Sequence, residues 1–183
     1  MNNTINIAVV GLGQVGIYLL NELNTKKKEI ELKTGKKINV VAVSAKNINK
    51  KRQFKVNKKI FFKNPLEIFN KKKVDILFEA IGLSDGISKK VVESALKKKI
   101  HVITPNKALI SKHGNELAKI AELNNVNLEF EASVAGGIPI LRSIKEGLAT
   151  NKISKVYGIL NGTSNYILSE MENSNQSFSD VLK

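Results

Sequence analysis

Ile5-Asn6-Ile7-Ala8-Val9-Val10-Gly11-Leu12-Gly13-Gln14-Val15-Gly16 opens the chain with a short apolar, β-rich run, a turn carrying three glycines, and helical spacing from Gln14 onward. That order is strand, tight turn, helix. In such a turn the first glycine bends sharply, the second lets a phosphate reach the backbone, and the third lets helix and strand pack closely. The free N–H groups and positive dipole end of the helix then favour an anion. Glycine-rich turns also serve purely structural ends, so the placement directly after the first strand is what gives this match its weight.

Outward from the turn, strand and helix patterns alternate. Strands are expected at Ile5 to Val10, Ile38 to Ser44, Val74 to Glu79, Ile100 to Thr104, Val126 to Glu131 and Ile153 to Leu160, where β-branched runs lie between polar segments. Most are continuously apolar, which suits strands covered on both faces in a parallel sheet. Val15, Leu19 and Leu23 share one helical face, as do Ile87, Val91 and Leu96, and Leu117, Ile120 and Ala121, by the helical period. The pattern predicts an α/β protein with a Rossmann-type doubly wound parallel sheet. A dinucleotide-binding domain is expected over residues 1–131. A glycine-rich segment then ends the regular alternation, and 132–183 reads as the incomplete start of a second, α+β substrate domain.

Composition narrows the chemistry. The 183 residues are 42% hydrophobic, enough for a real core. With no cysteine and two histidines, disulfides, thiolate metal sites, a thiol nucleophile and zinc chemistry are excluded. No run approaches the roughly 18 apolar residues of a membrane span, so a cytoplasmic location is the default expectation. The net charge of +14 raises nucleic acid as a partner, but its distribution argues against one. Lysine clusters such as Lys26 to Lys28 and Lys97 to Lys99 fall at helix ends and loops without interleaved aromatics to stack on bases. Only Arg52 and Arg142 are arginines, and lysine here fills solvated positions.

Three stretches carry candidate chemistry. After the second strand, Val43-Ser44-Ala45-Lys46 lacks the carboxylate that usually accepts from the ribose hydroxyls of NAD, while Lys46, Lys50, Lys51 and Arg52 follow. This favours a 2′-phosphate and hence NADP(H), with NAD(H) left open and solvated surface charge as the alternative. Thr104-Pro105-Asn106-Lys107 stands at the C-terminal end of a strand, the edge where such sheets bind ligands. Thr104 and Lys107 are its candidates for cofactor contact. A partly desolvated Lys107 could polarise a carbonyl, hold a carboxylate or relay a proton; Pro105 reads as a helix-start residue. Glu131, Val134, Gly136 and Ile138 set one carboxylate among closely spaced carbonyls. They suit a hard monovalent or calcium-like cation, or form a simple hinge in which Gly136 and Gly137 supply unusual backbone angles.

Five motifs arrive in one order: GLGQVG, VDILFEAIG, HVITPNKALIS, FEASVAGGIPIL and VYGILNGTSNYIL. In these motifs the chain resembles the homoserine dehydrogenase family over essentially its whole length; the last three are specific to that family. The resemblance implies NAD(P)H-dependent interconversion of L-aspartate 4-semialdehyde and L-homoserine, in the route to threonine, isoleucine and methionine. Carried over, it makes Gly11, Leu12, Gly13, Gln14, Val15 and Gly16 the cofactor turn, and Lys107 the catalytic lysine beside nicotinamide and substrate. It makes Glu131, Val134, Gly136 and Ile138 positions for Na+, and Gly162 and Thr163 a substrate-contacting loop, with Asn161 shaping the pocket and Tyr166 and Ile167 packing. It also implies a homo-oligomer for the full-length enzyme.

Family members continue beyond a segment like Phe178 to Leu182 into further catalytic residues, so the chain reads as an N-terminal portion with little turnover alone. Two other readings stand beside it. Another Rossmann oxidoreductase of amino-acid metabolism, such as an aspartate or semialdehyde dehydrogenase, would share the nucleotide half and differ after Glu131, though the semialdehyde enzyme would need a nucleophilic cysteine and the chain has none; a non-catalytic dinucleotide-binding or regulatory module would keep cofactor affinity without coupling to substrate.

Overall fold

The computed structural model describes residues 3–52, 56–158 and 161–182. It divides into two compact units, Met1–Leu141 and Arg142–Lys183.

The first unit is built on a six-stranded, all-parallel sheet. Its strands are β1 (Thr4–Val10), β2 (Lys37–Ser44), β3 (Phe61–Phe62), β4 (Ile76–Glu79), β5 (His101–Ile103) and β6 (Leu128–Glu129), in the order β3-β2-β1-β4-β5-β6. The chain winds outward from β1 in one direction through β3, then returns to continue in the other from β4. This is the doubly wound Rossmann arrangement, with its topological switch between β1 and β4. Ile7 pairs with Ile76, and Val10 with Ser44 on one side and Glu79 on the other. The ends of β1, β2 and β4 therefore finish level.

Helices α1 (Gln14–Thr25), α2 (Lys27–Thr34), α3 (Ile68–Lys71), α4 (Ile87–Lys97) and α5 (Lys107–Leu123) make the crossovers, followed by the single turn α6 (Glu131–Val134). Burial explains the apolar strands. Ala8, Val9, Ala42, Leu77 and Val102 are fully buried, and two apolar clusters form on the sheet. The larger gathers α4 and α5 residues Val91, Val92, Ala95, Leu96, Leu109 and Leu117 with Ala8, Leu77 and Val102. The smaller sets Ile17 and Leu20 of α1 against Ile7, Val9 and Val43. Each fully buried Val or Leu contributes roughly 1.5–3 kcal/mol of transfer free energy.

Several sequence expectations are corrected. The buried face of α1 runs through Gly16, Ile17 and Leu20 with Leu19 and Leu23 packed at its edge, and Val15, in the first turn beside the open cleft, is exposed. Strand β6 keeps only Leu128 and Glu129, and Glu131 instead opens α6. Pro105 lies outside the first turn of α5, whose N-cap is Asn106. The two-residue β3 was not anticipated; it pairs Phe61 and Phe62 with Val43 and Ser44.

The helical turn α7 (Ile140–Arg142) leads into a π-helical turn at Ser143–Gly147, then α8 (Gly162–Ser174) and α9 (Phe178–Val181). No strand forms over 153–158, and the rest of the expected strand, Ile159 and Leu160, lies outside the described residues. Ile153, Val156 and Tyr157 are exposed. Their β propensity is met by no partner strand among the described residues, and propensity without a ladder does not make a strand. Gly162 and Thr163, expected in a loop, form the first turn of α8, and Tyr166, expected to pack, is exposed. No helix among the described residues is long and apolar enough to cross a membrane.

Candidate functional site

The glycine turn sits at the switch point and is held there from both sides. Gly11 N–H donates to Ser44 O at 2.9 Å, and Ala80 N–H to Val10 O at 2.7 Å, so the turn hangs from the ends of β2 and β4 together. Its glycines have different jobs. Gly11 has φ +94°, and a β-carbon there would overlap the Ala80 carbonyl; one on Gly16 would overlap Gly11 O. The protein's own atoms demand both. Gly13, the N-cap of α1 at φ −77°, meets nothing within 4 Å. No side chain caps this helix. Its first N–H groups thus lack a side-chain partner, and the space beside Gly13 is open, a helix start fit for the pyrophosphate of a dinucleotide.

Beside this helix start lies a cleft of about 780 Å³, lined by Leu12, Gly13, Gln14, Val15, Tyr18 and Lys50 among others, with Lys51 and Arg52 completing its basic side. The turn and the segment after β2, read separately in the sequence, thus meet in one cleft. Lys46 is exposed and does not line it. Arg52 is half-buried and donates hydrogen bonds to four main-chain carbonyls, Leu12 O among them.

At the ends of β4 and β5 a buried carboxylate organises the second part of the site. Glu79 is fully buried. Its Oε2 accepts from the Thr104 hydroxyl at 2.6 Å and from Asn106 Nδ2 at 3.3 Å; its Oε1 accepts from Ile81 N–H at 2.7 Å. Asn106 also donates to Leu83 O at 2.8 Å, while its Oδ1 accepts from Leu109 N–H at 3.2 Å and caps α5. Thr104, expected to touch cofactor, is instead 1% exposed and turned into this network. Lys107 follows directly as the exposed first residue of α5, so the network fixes where its backbone starts and leaves its ammonium in solvent.

The Glu131 segment is partly engaged with itself. The carboxylate accepts from Leu141 N–H at 2.9 Å, the Glu131 carbonyl from Ala135 N–H at 3.4 Å, and Ile138 O from Ile140 N–H at 2.8 Å. Val134, Gly136 and Ile138 are exposed, and a carbonyl with one hydrogen bond keeps a second lone pair for a cation. In the second unit Asn161 acts as an N-cap, accepting from Ser164 N–H at 2.8 Å. Gly162 and Thr163 present an exposed helix start.

Comparison with known proteins gives this geometry a lineage. Residues 11–131 match the model of the homoserine dehydrogenase NAD-binding domain, and residues 139–183 match that of homoserine dehydrogenase. The chain belongs to the homoserine dehydrogenase family. The homoserine dehydrogenase of Neisseria gonorrhoeae is 42% identical over 98% of this chain and 41% of its own length. That of Bacillus subtilis is 35% identical with the same coverage. Among solved structures, a homoserine dehydrogenase from Thiobacillus denitrificans superposes with a TM-score of 0.83 at 38% identity, covering 98% of this chain and 41% of that one. A hyperthermophilic archaeal homoserine dehydrogenase in complex with NADPH shares the fold, with a TM-score of 0.75 at 22% identity over 98% of this chain and 59% of that one. The chain spans about 41% of the length of the first two relatives.

Within this homoserine dehydrogenase framework, sequence reasoning singled out the glycine turn and Lys107 as candidates but gave no role to Glu79. The VDILFEAIG motif contained the signal, a carboxylate ending an otherwise apolar strand. Such a residue is fully buried only when donors surround it, and the donors lie 25 and 27 positions away in Thr104 and Asn106.

Proposed function

We propose that this chain supplies the cofactor-binding part of an enzyme that interconverts L-aspartate 4-semialdehyde and L-homoserine. A bound nicotinamide dinucleotide supplies the hydride that reduces the aldehyde carbon. Gly13 and the uncapped start of α1 hold the pyrophosphate. Leu12, Gln14 and Val15 border the neighbouring cleft, and Gly11 and Gly16 hold the turn's shape. The basic run Lys46, Lys50, Lys51 and Arg52, with no carboxylate ending β2, favours NADP(H) while leaving NAD(H) usable. Lys107 stabilises the developing alkoxide and donates its proton. An ammonium beside the developing oxyanion stabilises its charge in the transition state. Gly162 and Thr163 contact the amino acid, and Glu131, Val134, Gly136 and Ile138 hold Na+. We read the functional domain boundary at residue 131, short of Leu141 where the first compact unit ends, and the complete enzyme as a homo-oligomer.

The observation that carries this reading is the space over Gly13, which the protein's own atoms leave empty in front of an uncapped helix. Calorimetric titration with NADPH and NADH, with and without homoserine, tests it. NADPH is expected to bind more tightly than NADH; binding of neither removes the dinucleotide reading. In the complete enzyme, Lys107→Ala is expected to lower kcat/KM by about 10²-fold or more with an unchanged melting temperature, since the side chain is exposed. Near wild-type kinetics would remove Lys107 from the site.

A further inference from the structure

The basic segment after β2 divides into two kinds of residue. Arg52 Nε donates to Leu12 O at 3.2 Å, Nη1 to Ile48 O at 3.1 Å and Lys50 O at 2.9 Å, and Nη2 to Asn47 O at 2.6 Å. A guanidinium has five N–H groups in a rigid fork, so these four bonds leave one. A bidentate grip on a phosphate needs two parallel donors, and Arg52 could form it only by abandoning carbonyls that it now satisfies. One of them, Leu12 O, lies in the glycine turn and belongs to a residue 6% exposed. Lys50 and Lys51 differ: both are exposed, both line the cleft, and neither ammonium has an ion-pair partner among the described residues.

We infer that Arg52 acts on cofactor choice as a positioning residue. It ties the 47–52 segment to the glycine turn, so that Lys50 and Lys51, and not Arg52 itself, meet the 2′-phosphate of NADP(H). The inference rests on the dinucleotide reading above. Because the tie runs to Leu12, it supports the turn that receives the pyrophosphate common to both cofactors. Losing it therefore weakens NADH as well as NADPH, whereas losing a 2′-phosphate ligand weakens NADPH alone.

Titrations of the whole chain with NADPH and NADH at low ionic strength, where the lysine charges are least screened, separate these roles. Replacing both lysines (Lys50→Gln with Lys51→Gln) is expected to lower NADPH affinity about tenfold and leave NADH unchanged. Arg52→Gln is expected to lower NADH affinity about fivefold and NADPH by at least as much. Arg52→Lys, which keeps the charge and gives up the fork, should follow Arg52→Gln; it also serves if the glutamine variant fails to fold, as judged by thermal unfolding. Unchanged NADH binding in the Arg52 variants, or unchanged NADPH binding in the double lysine variant, overturns the inference. A wild-type chain that binds neither cofactor overturns the dinucleotide reading along with it, an outcome distinct from the failure of the inference alone.

Discussion

Three glycines within six residues have three different relations to space. Gly11 and Gly16 are held by contact, since a β-carbon on either would overlap backbone of the turn or of the strand beside it, and Gly11 also has a positive φ. Gly16→Ala is therefore expected to cost about 3 kcal/mol or more, visible as a large fall in melting temperature. Gly13→Ala has room and an ordinary φ, so its cost is expected to stay below about 1 kcal/mol. The same methyl group would occupy the space before the α1 N-terminus, so affinity for NADPH should fall about tenfold or more. Parallel melting and calorimetric measurements check the contrast, and equal stability losses at both positions would contradict it. The three-glycine spacing was legible in the sequence. Which glycine serves the fold and which serves a ligand was not, because the decisive neighbours of Gly11 are Ala80 and Ile81 at the end of another strand.

Elements are joined to one another by polar ties that local patterns do not reveal. The segment between β4 and α4 is tied to α5 twice, by Asn106 to Leu83 O and by an exposed cluster around Asp85. Lys112 Nζ lies 2.8 Å from one Asp85 oxygen, and His113 Nε2 lies 2.9 Å from the other. The Lys112 hydrogen bond above all, with those from Ser84 and His113, holds the Asp85 carboxyl well below the usual carboxylate range. A carboxylate with a depressed folded-state pKa stabilises fully above its unfolded value of about 3.9 and loses that contribution as pH falls toward the folded one. The melting temperatures of wild type and Asp85→Asn should thus converge as pH falls below about 4 and the carboxylate takes up its proton. A difference that widens as pH falls below about 4 would refute the tie. At this scale, helical spacing placed the buried faces of α4 and α5 correctly. On α1 it placed Leu19 and Leu23, which pack against the smaller cluster, but not Val15, which is 52% exposed; it also failed for the expected strand at 153–160, where β-branched residues find no ladder among the described residues.

Across the whole molecule, every buried apolar residue among those described lies between Ile7 and Leu128, within the first unit. In the second, Val156, Tyr157, Tyr166, Leu168, Phe178 and Leu182 are all exposed. A chain ending at Leu141 keeps both apolar clusters and the Glu131–Leu141 hydrogen bond. It is expected to melt within a few degrees of the 183-residue chain and to bind NADPH with the same affinity. A large drop in melting temperature would show that Arg142–Lys183 contributes to the stability of the first unit.

The sequence by itself determined the parallel sheet, through apolar strands alternating with amphipathic helices, and the strand–turn–helix unit, through glycines directly after the first strand. Both are consequences of local geometry, and local geometry is written in adjacent residues. Only the tertiary structure decided that Arg52 is spent on four carbonyls, that Thr104 turns inward to Glu79, and that Gly162 and Thr163 begin a helix. A polar side chain's role depends on which donors and acceptors surround it. For Arg52 one of them lies 40 positions away, and for Glu79 two lie 25 and 27 positions away, distances over which no sequence period carries information.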